Sequence, residues 1–446
     1  MQNALSLLTR TINRAGGIRL SQTDSRPLQI VNVDDGGQPD NVKAVTTALL
    51  DGSVTGRPVD FVLGPYSSTL NEQAASVANA RGVLFVSAGA AATSVFVNRS
   101  LSFGMLSPAS TYLQSGVELL HAKGVRSIAL LVEYDDSASV QYCAGAQATA
   151  ERLGIRVSVS ARIPVKVNRT RVASVLDQLR ASKPDAVVGC TKYGNCAEFL
   201  AQAAADPGFY VQAMMFTTCV TDPKFKDLPK LQTAYVLGVT PWSEQDNKTD
   251  DLLGWSPASF AATYDGIFGQ IPPYQAVAAF ACGLLLANAI EASGSLEPKL
   301  VAAQMARARM RTVFGDVSFN ADRQNVMPFL VLQVMPNRRQ LVVTAGAANV
   351  PMPPWKKRQC EASDECATMG GCKEDGNCMY TPCPMGSRTV NNTLGRPGCE
   401  TCSPGSFSVS GKVEACTPCS AGTLRLWRSG CPRLRPVRAR SVLPLL

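Results

Sequence analysis

Two cysteine pairs, Cys399-x-x-Cys402 and Cys416-x-x-Cys419, have spacing that suits either a tetrahedral zinc or a set of disulfides. Three features favour oxidation over metal. The phrases CPMGS, CSPGSF and CSAGT repeat from Cys383, Cys402 and Cys419; Cys383 stands outside the four; and a glycosylation sequon begins at Asn391. Further sequons begin at Asn98, Asn168 and Asn247. Ten of the fifteen cysteines fall between Cys360 and Cys431, and the first 350 residues hold only five. The cysteine-rich part has few large apolar residues and needs covalent staples, whereas the part before it must fold by burying a core. Cys360, Cys366, Cys372 and Cys378 recur every six residues and imply two more bridges of open pairing.

Serines supply the other chemistry. Ser67-Ser68 follows an apolar run and opens a helical pattern, and Ser87 ends the next apolar run. Hydroxyls and free amides at a helix start attract an anion such as a carboxylate, or simply cap the helix. Catalysis is not expected. His121 is the only histidine and lies in the helical pattern LLHAKG, so there is no His-rich metal site and no obvious Ser–His pair. The run from Gly405 to Lys412 has the wrong spacing for a phosphate loop and continues with Val413. Asp135-Asp136 reads as a solvated turn. No cofactor and no metal is implied.

Charge excludes one more class. The formal charge is +9, but Arg425, Arg428, Arg433, Arg435, Arg438 and Arg440 crowd a terminal stretch without acids, and without them it falls to +3. That is no nucleic-acid footprint. The apolar stretch Ala276–Ile290 is too short for the ~20 residues a bilayer needs and reads as a buried core helix.

These side chains must be positioned by an alternating architecture. Leu28–Val33, Val59–Leu63, Val83–Ser87, Ser127–Glu133, Asp185–Cys190 and Ala213–Thr217 read as strands, with helices over Asn41–Leu50 and Asn71–Arg81. Nearly continuous apolar strands separated by helices indicate parallel sheets covered on both faces, a doubly wound α/β fold. Ligands then bind at the carboxyl ends of the strands. The loops there are Gly64–Ser68, Ser87–Ala90, Tyr134–Ser137, Cys190–Tyr193 and Thr217–Cys219.

The runs ALSLLTRTINRAGGIRL, LQIVNVDDGGQPDNVKAV and DFVLGPYSSTLNEQAASVANARGVLFVSAGA resemble the start of the type I periplasmic binding fold. This is the branched-chain amino-acid-binding and receptor ligand-binding family. KGVRSIALLVEYDD resembles the opening of its second lobe, and FAATYDGIFGQIPPYQAVAAFACGLLLANAIEASGSLEP, with VFGDVSFNADRQNV, its late helices and closing strands. The resemblance implies two lobes, about 1–112 with 241–313 and about 113–240 with 314–347, joined by three crossings within a 1–350 binding domain. It also implies a cleft ligand. Ser68 matches the serine that holds a ligand carboxylate; Gly89 and Ala91 match the second loop, with Thr93 beyond it. Ser137 stands where an aromatic often closes over the ligand. Lys192 and Tyr193 match another cleft loop, and Thr217 stands where a glutamate pairs with an amino acid's ammonium. Asp135, Asp136 or Asp222 would have to substitute, or the ligand is not an α-amino acid.

Members of that family begin with a strand, and this chain starts at the helix after it. The resemblance thus implies an absent first strand and a gene start set too late, which would also account for the lack of a secretory signal. Residues 351–423 resemble the cysteine-rich repeats of ephrin and tumour-necrosis-factor receptors. Such a ladder implies the pairs Cys383–Cys399, Cys402–Cys416 and Cys419–Cys431. Residues 424–446 read as an irregular basic tail. The combined expectation is the extracellular part of a membrane receptor for a small polar, amino-acid-like or carboxylate molecule. Its anchoring span and its kinase or cyclase output would lie outside this chain, and lobe 1 could pair in a homodimer. The alternative is a soluble solute-binding protein for an ABC-type transporter.

Overall fold

A computed structural model describes residues 1–343, apart from 207, 208, 218 and 247, together with the backbone of 387–391, 397–401, 406–407 and 417–418. The chain divides into two compact units, Met1–Trp355 and Lys356–Leu446.

The first unit opens with α1 (Gln2–Arg14), the ribbon of β1 (Ile18–Arg19) and β2 (Ser25–Arg26), then α2 (Pro39–Asp51). There follow β3 (Val62–Leu63), α3 (Ser68–Ala80), β4 (Phe85–Ser87) and β5 (Ser102–Gly104), which form a small parallel sheet in the order β3-β4-β5. After α4 (Gln114–Ala122) come β6 (Ser127–Glu133), α5 (Ser137–Arg152), β7 (Arg156–Ile163), α6 (Arg169–Ser182), β8 (Ala186–Cys190), α7 (Tyr193–Ala205), β9 (Ala213–Phe216), the short α8 (Lys230–Thr233) and β10 (Leu237–Thr240). The chain returns through α9 (Pro257–Phe268), α10 (Tyr274–Ser293) and α11 (Pro298–Arg307), the hairpin of β11 (Arg309–Thr312) and β12 (Gly315–Ser318), then β13 (Leu330–Val334) and β14 (Gln340–Val343).

The second sheet runs β14-β13-β10-β9-β8-β6-β7, parallel from β10 to β7 and antiparallel at β13 and β14. Its central strands have no polar face to offer water: every residue of SIALLVE in β6 and AVVGC in β8 is buried. Such strands require helices on both sides, and separate apolar clusters do lie on the two faces. The structure is therefore an α/β protein of two lobes with parallel sheets. Among the described residues α10 alone is long and apolar enough to cross a membrane. Its position explains that composition, because it is buried on almost every side and packs on α1 so closely that a Cβ at Gly283 would meet Leu8 Cδ2 at 2.2 Å.

One expectation needs correction. Leu28–Val33 forms no strand, and Val59–Leu63 contracts to Val62–Leu63. A strand needs a neighbour to complete its ladder, and among the described residues β3 pairs only with β4 while Leu28–Val33 pairs with no strand.

Residues near 107–112, 242, 313 and 327–329 are tied to one another. Ser107 Oγ donates to Met327 O at 2.9 Å and accepts from Met327 N at 3.0 Å. Trp242 Nε1 donates to Val313 O at 2.9 Å. Tyr112 stacks on Tyr142 and lies against Phe329, with centroids 4.6 and 3.8 Å apart.

In the second unit β15 (Ser387–Asn391) pairs antiparallel with β16 (Pro397–Thr401), and β17 (Ser406–Phe407) with β18 (Thr417–Pro418). The side chains of the ladder cysteines Cys383 to Cys431, and of Cys360 to Cys378, lie outside the described residues, as does the basic tail.

Candidate functional site

The loops at the carboxyl ends of β3 and β4 form a polar patch whose components hold one another. Ser67 is the N-cap of α3; its Oγ accepts from Leu70 N at 3.4 Å, and its backbone sits at φ +87°, a left-handed conformation that a serine rarely adopts. Gly89 lies directly beneath. A Cβ there would approach Pro65 O and Tyr66 Cα to 2.9 Å, so only glycine lets the two loops pack this closely. Ser87 is fully buried, its Oγ accepting from Gly89 N at 3.2 Å and Ala90 N at 2.9 Å. It builds the turn.

Ser68 differs from both. Its Oγ accepts from Ala91 N at 3.2 Å and Ala92 N at 3.0 Å, and no described residue accepts its own proton. A hydroxyl polarised by two amides at the start of a helix is a strong donor toward an anion. Ala91 thus contributes its amide through Ser68, and Thr93 begins a short 3-10 turn beyond it.

In the second lobe Ser137 is exposed at the first turn of α5. Lys192 Nζ meets Asp136 Oδ1 at 2.8 Å, and Asp136 Oδ2 accepts from Ser139 N at 2.9 Å. Burial pushes the Asp136 carboxyl up, but Lys192 and Ser139 outweigh it and hold the pKa below the ordinary range. Tyr193 turns away from this pair, its hydroxyl donating to Lys224 O at 3.3 Å. Thr217 is buried and donates to Thr191 O at 3.1 Å. Asp135 accepts from Val165 N at 2.7 Å and Asp222 from Lys224 N at 2.9 Å.

Sequence reasoning passed over three groups. The first is four tyrosines. Tyr66 reaches Tyr274 with 3.2 Å between hydroxyls, and Tyr112 stacks on Tyr142 with centroids 4.6 Å apart. Burial, then the neighbouring phenols, raises Tyr112 and Tyr274 well above the ordinary tyrosine range, so both remain neutral hydrogen-bonding groups at any physiological pH. No local motif announces a cluster assembled from four distant elements.

The second is Glu133, fully buried at the end of β6. Its Oε1 accepts from Asn195 Nδ2 at 2.8 Å and Lys192 N at 3.0 Å. Burial nonetheless raises its pKa, outweighing those donors. A carboxyl raised in the folded state stabilises the fold while protonated, and that contribution is lost as pH rises through the raised value. Glu133→Gln, which keeps an oxygen for both donors, is therefore expected to raise the melting temperature at neutral pH. The gap should close as pH falls toward about 4, where a glutamate is protonated even when unfolded. A gap independent of pH in thermal melts would show that Glu133 is not desolvated.

The third group is a pair of disulfides flanking the cleft loops, Cys143–Cys190 and Cys196–Cys219. Of the described cysteines, only the buried Cys282 is free. Among the sequons, Asn98 is exposed and Asn168 caps α6 through Oδ1, accepting from Arg171 N at 2.9 Å, while the side chains of Asn247 and Asn391 lie outside the described residues.

Residues 1–339 match a family described as periplasmic binding protein. The fold is similar to that of an ABC transporter substrate-binding protein from Desulfitobacterium hafniense in complex with Leu, with a TM-score of 0.65 and 18% identity over 77% of this chain and 95% of that one. A leucine-binding protein from Thermotoga maritima gives 0.66 and 14% over 77% and 92%. A solute-binding protein of an ABC transporter from R. palustris, in complex with benzoate, gives 0.62 and 17% over 77% and 90%. At such identities the likeness establishes the fold.

Proposed function

The chain belongs to the periplasmic binding protein family, and from that premise we propose that it is a solute-binding protein of the kind that serves an ABC-type transporter, its lobes closing on a small carboxylate without an α-ammonium. Family membership implies an extracellular or periplasmic location, and disulfides in the second lobe fit an oxidising compartment. The similar structures named above are small-ligand binding proteins, whereas the receptor reading rests on the segment from Cys360 to Cys431 alone.

The observation that carries the ligand class is Ser68, which accepts two amides and keeps its own proton for a ligand oxygen. The neutral Thr217, its hydroxyl spent on Thr191 O, offers no countercharge to an ammonium and suits an aromatic or aliphatic acid. Calorimetry with benzoate and 4-methylpentanoate tests this. Binding of at least one is expected, weakened about tenfold to a hundredfold in Ser68→Ala, the value of a hydrogen bond to a charged group at 1.5–3 kcal/mol, and retained in Ser68→Thr. A folded protein that binds neither acid would overturn the reading.

A further inference from the structure

Beside β5 the chain at 323–325 docks on Gly104, whose N donates to Arg323 O at 2.9 Å and whose O accepts from Asn325 N at 2.8 Å. Gln324, between these two residues, is fully buried. Its Nε2 donates to Ala91 O at 3.1 Å, while its Oε1 is buried without a partner among the described residues. A carbonyl can only accept, so the amide nitrogen must be the end turned to Ala91 O. An unpaired buried oxygen is destabilising, so this side chain contributes through its donor.

Ala91 O also accepts from Ala109 N at 2.8 Å. The peptide group that carries this carbonyl carries the N–H of Ala92 on its other side, and Ala92 N donates to Ser68 Oγ at 3.0 Å. A peptide group is planar, so whatever anchors its carbonyl also aims its N–H. Hydrogen bonds in series polarise one another, so donors at Ala91 O strengthen Ala92 N–H as a donor to Ser68. The series runs from Gln324 Nε2 to Ala91 O, from Ala92 N to Ser68 Oγ, and ends on the proton that Ser68 keeps for a ligand.

We propose that Gln324 is a positioning residue for the carboxylate site: it orients and polarises the Ala91–Ala92 peptide so that Ser68 presents its proton to a ligand carboxylate. The inference rests on the carboxylate reading for its ligand and on these hydrogen bonds for its geometry. Gln324 lies far from Ser68 in sequence and acts through a backbone group, so no motif marks it.

Gln324→Met and Gln324→Leu test it on the full chain. Each removes the donor and the unpaired oxygen together, so the fold should be kept, with the amides of 128–132 exchanging as in the unsubstituted protein. In the ligand-free protein the Ala92 amide should exchange about fivefold faster or more in both variants, read by NMR. Calorimetry then uses benzoate and 4-methylpentanoate. Affinity for the acid that binds should fall about threefold to tenfold, the value of one hydrogen bond. The same substitutions made in Ser68→Ala should cost less than about twofold, because the path runs through that hydroxyl. A glutamine that only supports the fold would weaken binding alike in both backgrounds. Equal loss in the two backgrounds, no loss with Ser68 present, or unchanged exchange at Ala92 overturns the inference. If the unsubstituted protein binds neither acid, the carboxylate reading fails by itself. The Ala92 amide then decides alone whether Gln324 positions Ser68: faster exchange supports it and unchanged exchange overturns it.

Discussion

Leucine is expected to bind at least a hundredfold more weakly than 4-methylpentanoate, the same molecule without its ammonium. An ammonium brought into a closed cleft requires a countercharge, and removing one partner of a buried pair costs about 3–5 kcal/mol. Thr217 stands at the end of β9 as a buried neutral side chain whose hydroxyl is spent on Thr191 O. The nearby carboxylates are committed elsewhere: Asp136 to Lys192 and Ser139, Asp135 to Val165 N, Asp222 to Lys224 N. Glu133 is fully buried, its Oε1 taken by Asn195 Nδ2 and Lys192 N. Titration calorimetry of the two ligands side by side decides the matter. Equal affinities would mean that one of these acids leaves its partners on closure. Repeating the leucine titration with Glu133→Gln, Asp135→Asn, Asp136→Asn and Asp222→Asn would identify which.

The fold was legible where hydrophobic pattern alone determines structure. Ser127–Glu133 was bounded to the residue, because a central strand is apolar throughout and flanked by polar turns. Val59–Leu63 and Leu28–Val33 carry the same pattern yet form two strand residues and none, respectively. Pattern reports what a segment can bury, whereas a ladder also needs a neighbour, and local sequence does not record whether one is there. The place of Ser68 between strand and helix was legible, since α3 begins at that residue. The contrast with Ser87 was not: both serines end apolar runs, but Ser87 turns inward to Gly89 N and Ala90 N while Ser68 bridges across to the next loop. The tyrosine cluster and the pairing of Cys143 with Cys190 join residues far apart in sequence, and no spacing rule connects them.

Reducing the second lobe's disulfides is expected to lower stability by about 3 to 4 kcal/mol for each bridge lost, from loop closures of 47 and 23 residues in the chain-entropy account. The two bridges differ in what they hold. Cys143–Cys190 fastens α5, which carries Tyr142 and follows the Asp136 cap, to the end of β8, one residue before the Thr191–Lys192 loop. Cys196–Cys219 fastens α7 to the loop after β9, next to Thr217. Both therefore fix the second lobe's cleft loops, whereas the first lobe's site is held by Ser67, Ser87 and Gly89 without any bridge. Cys143→Ser with Cys190→Ser should lower the thermal midpoint and, in hydrogen exchange, loosen 134–137 and 191–193 while leaving 87–92 unchanged. Peptide mapping of the oxidised protein under non-reducing conditions provides the direct check. Free thiols at all four positions, or a pairing other than these two, would remove both the stability argument and the support it lends to an extracytoplasmic location.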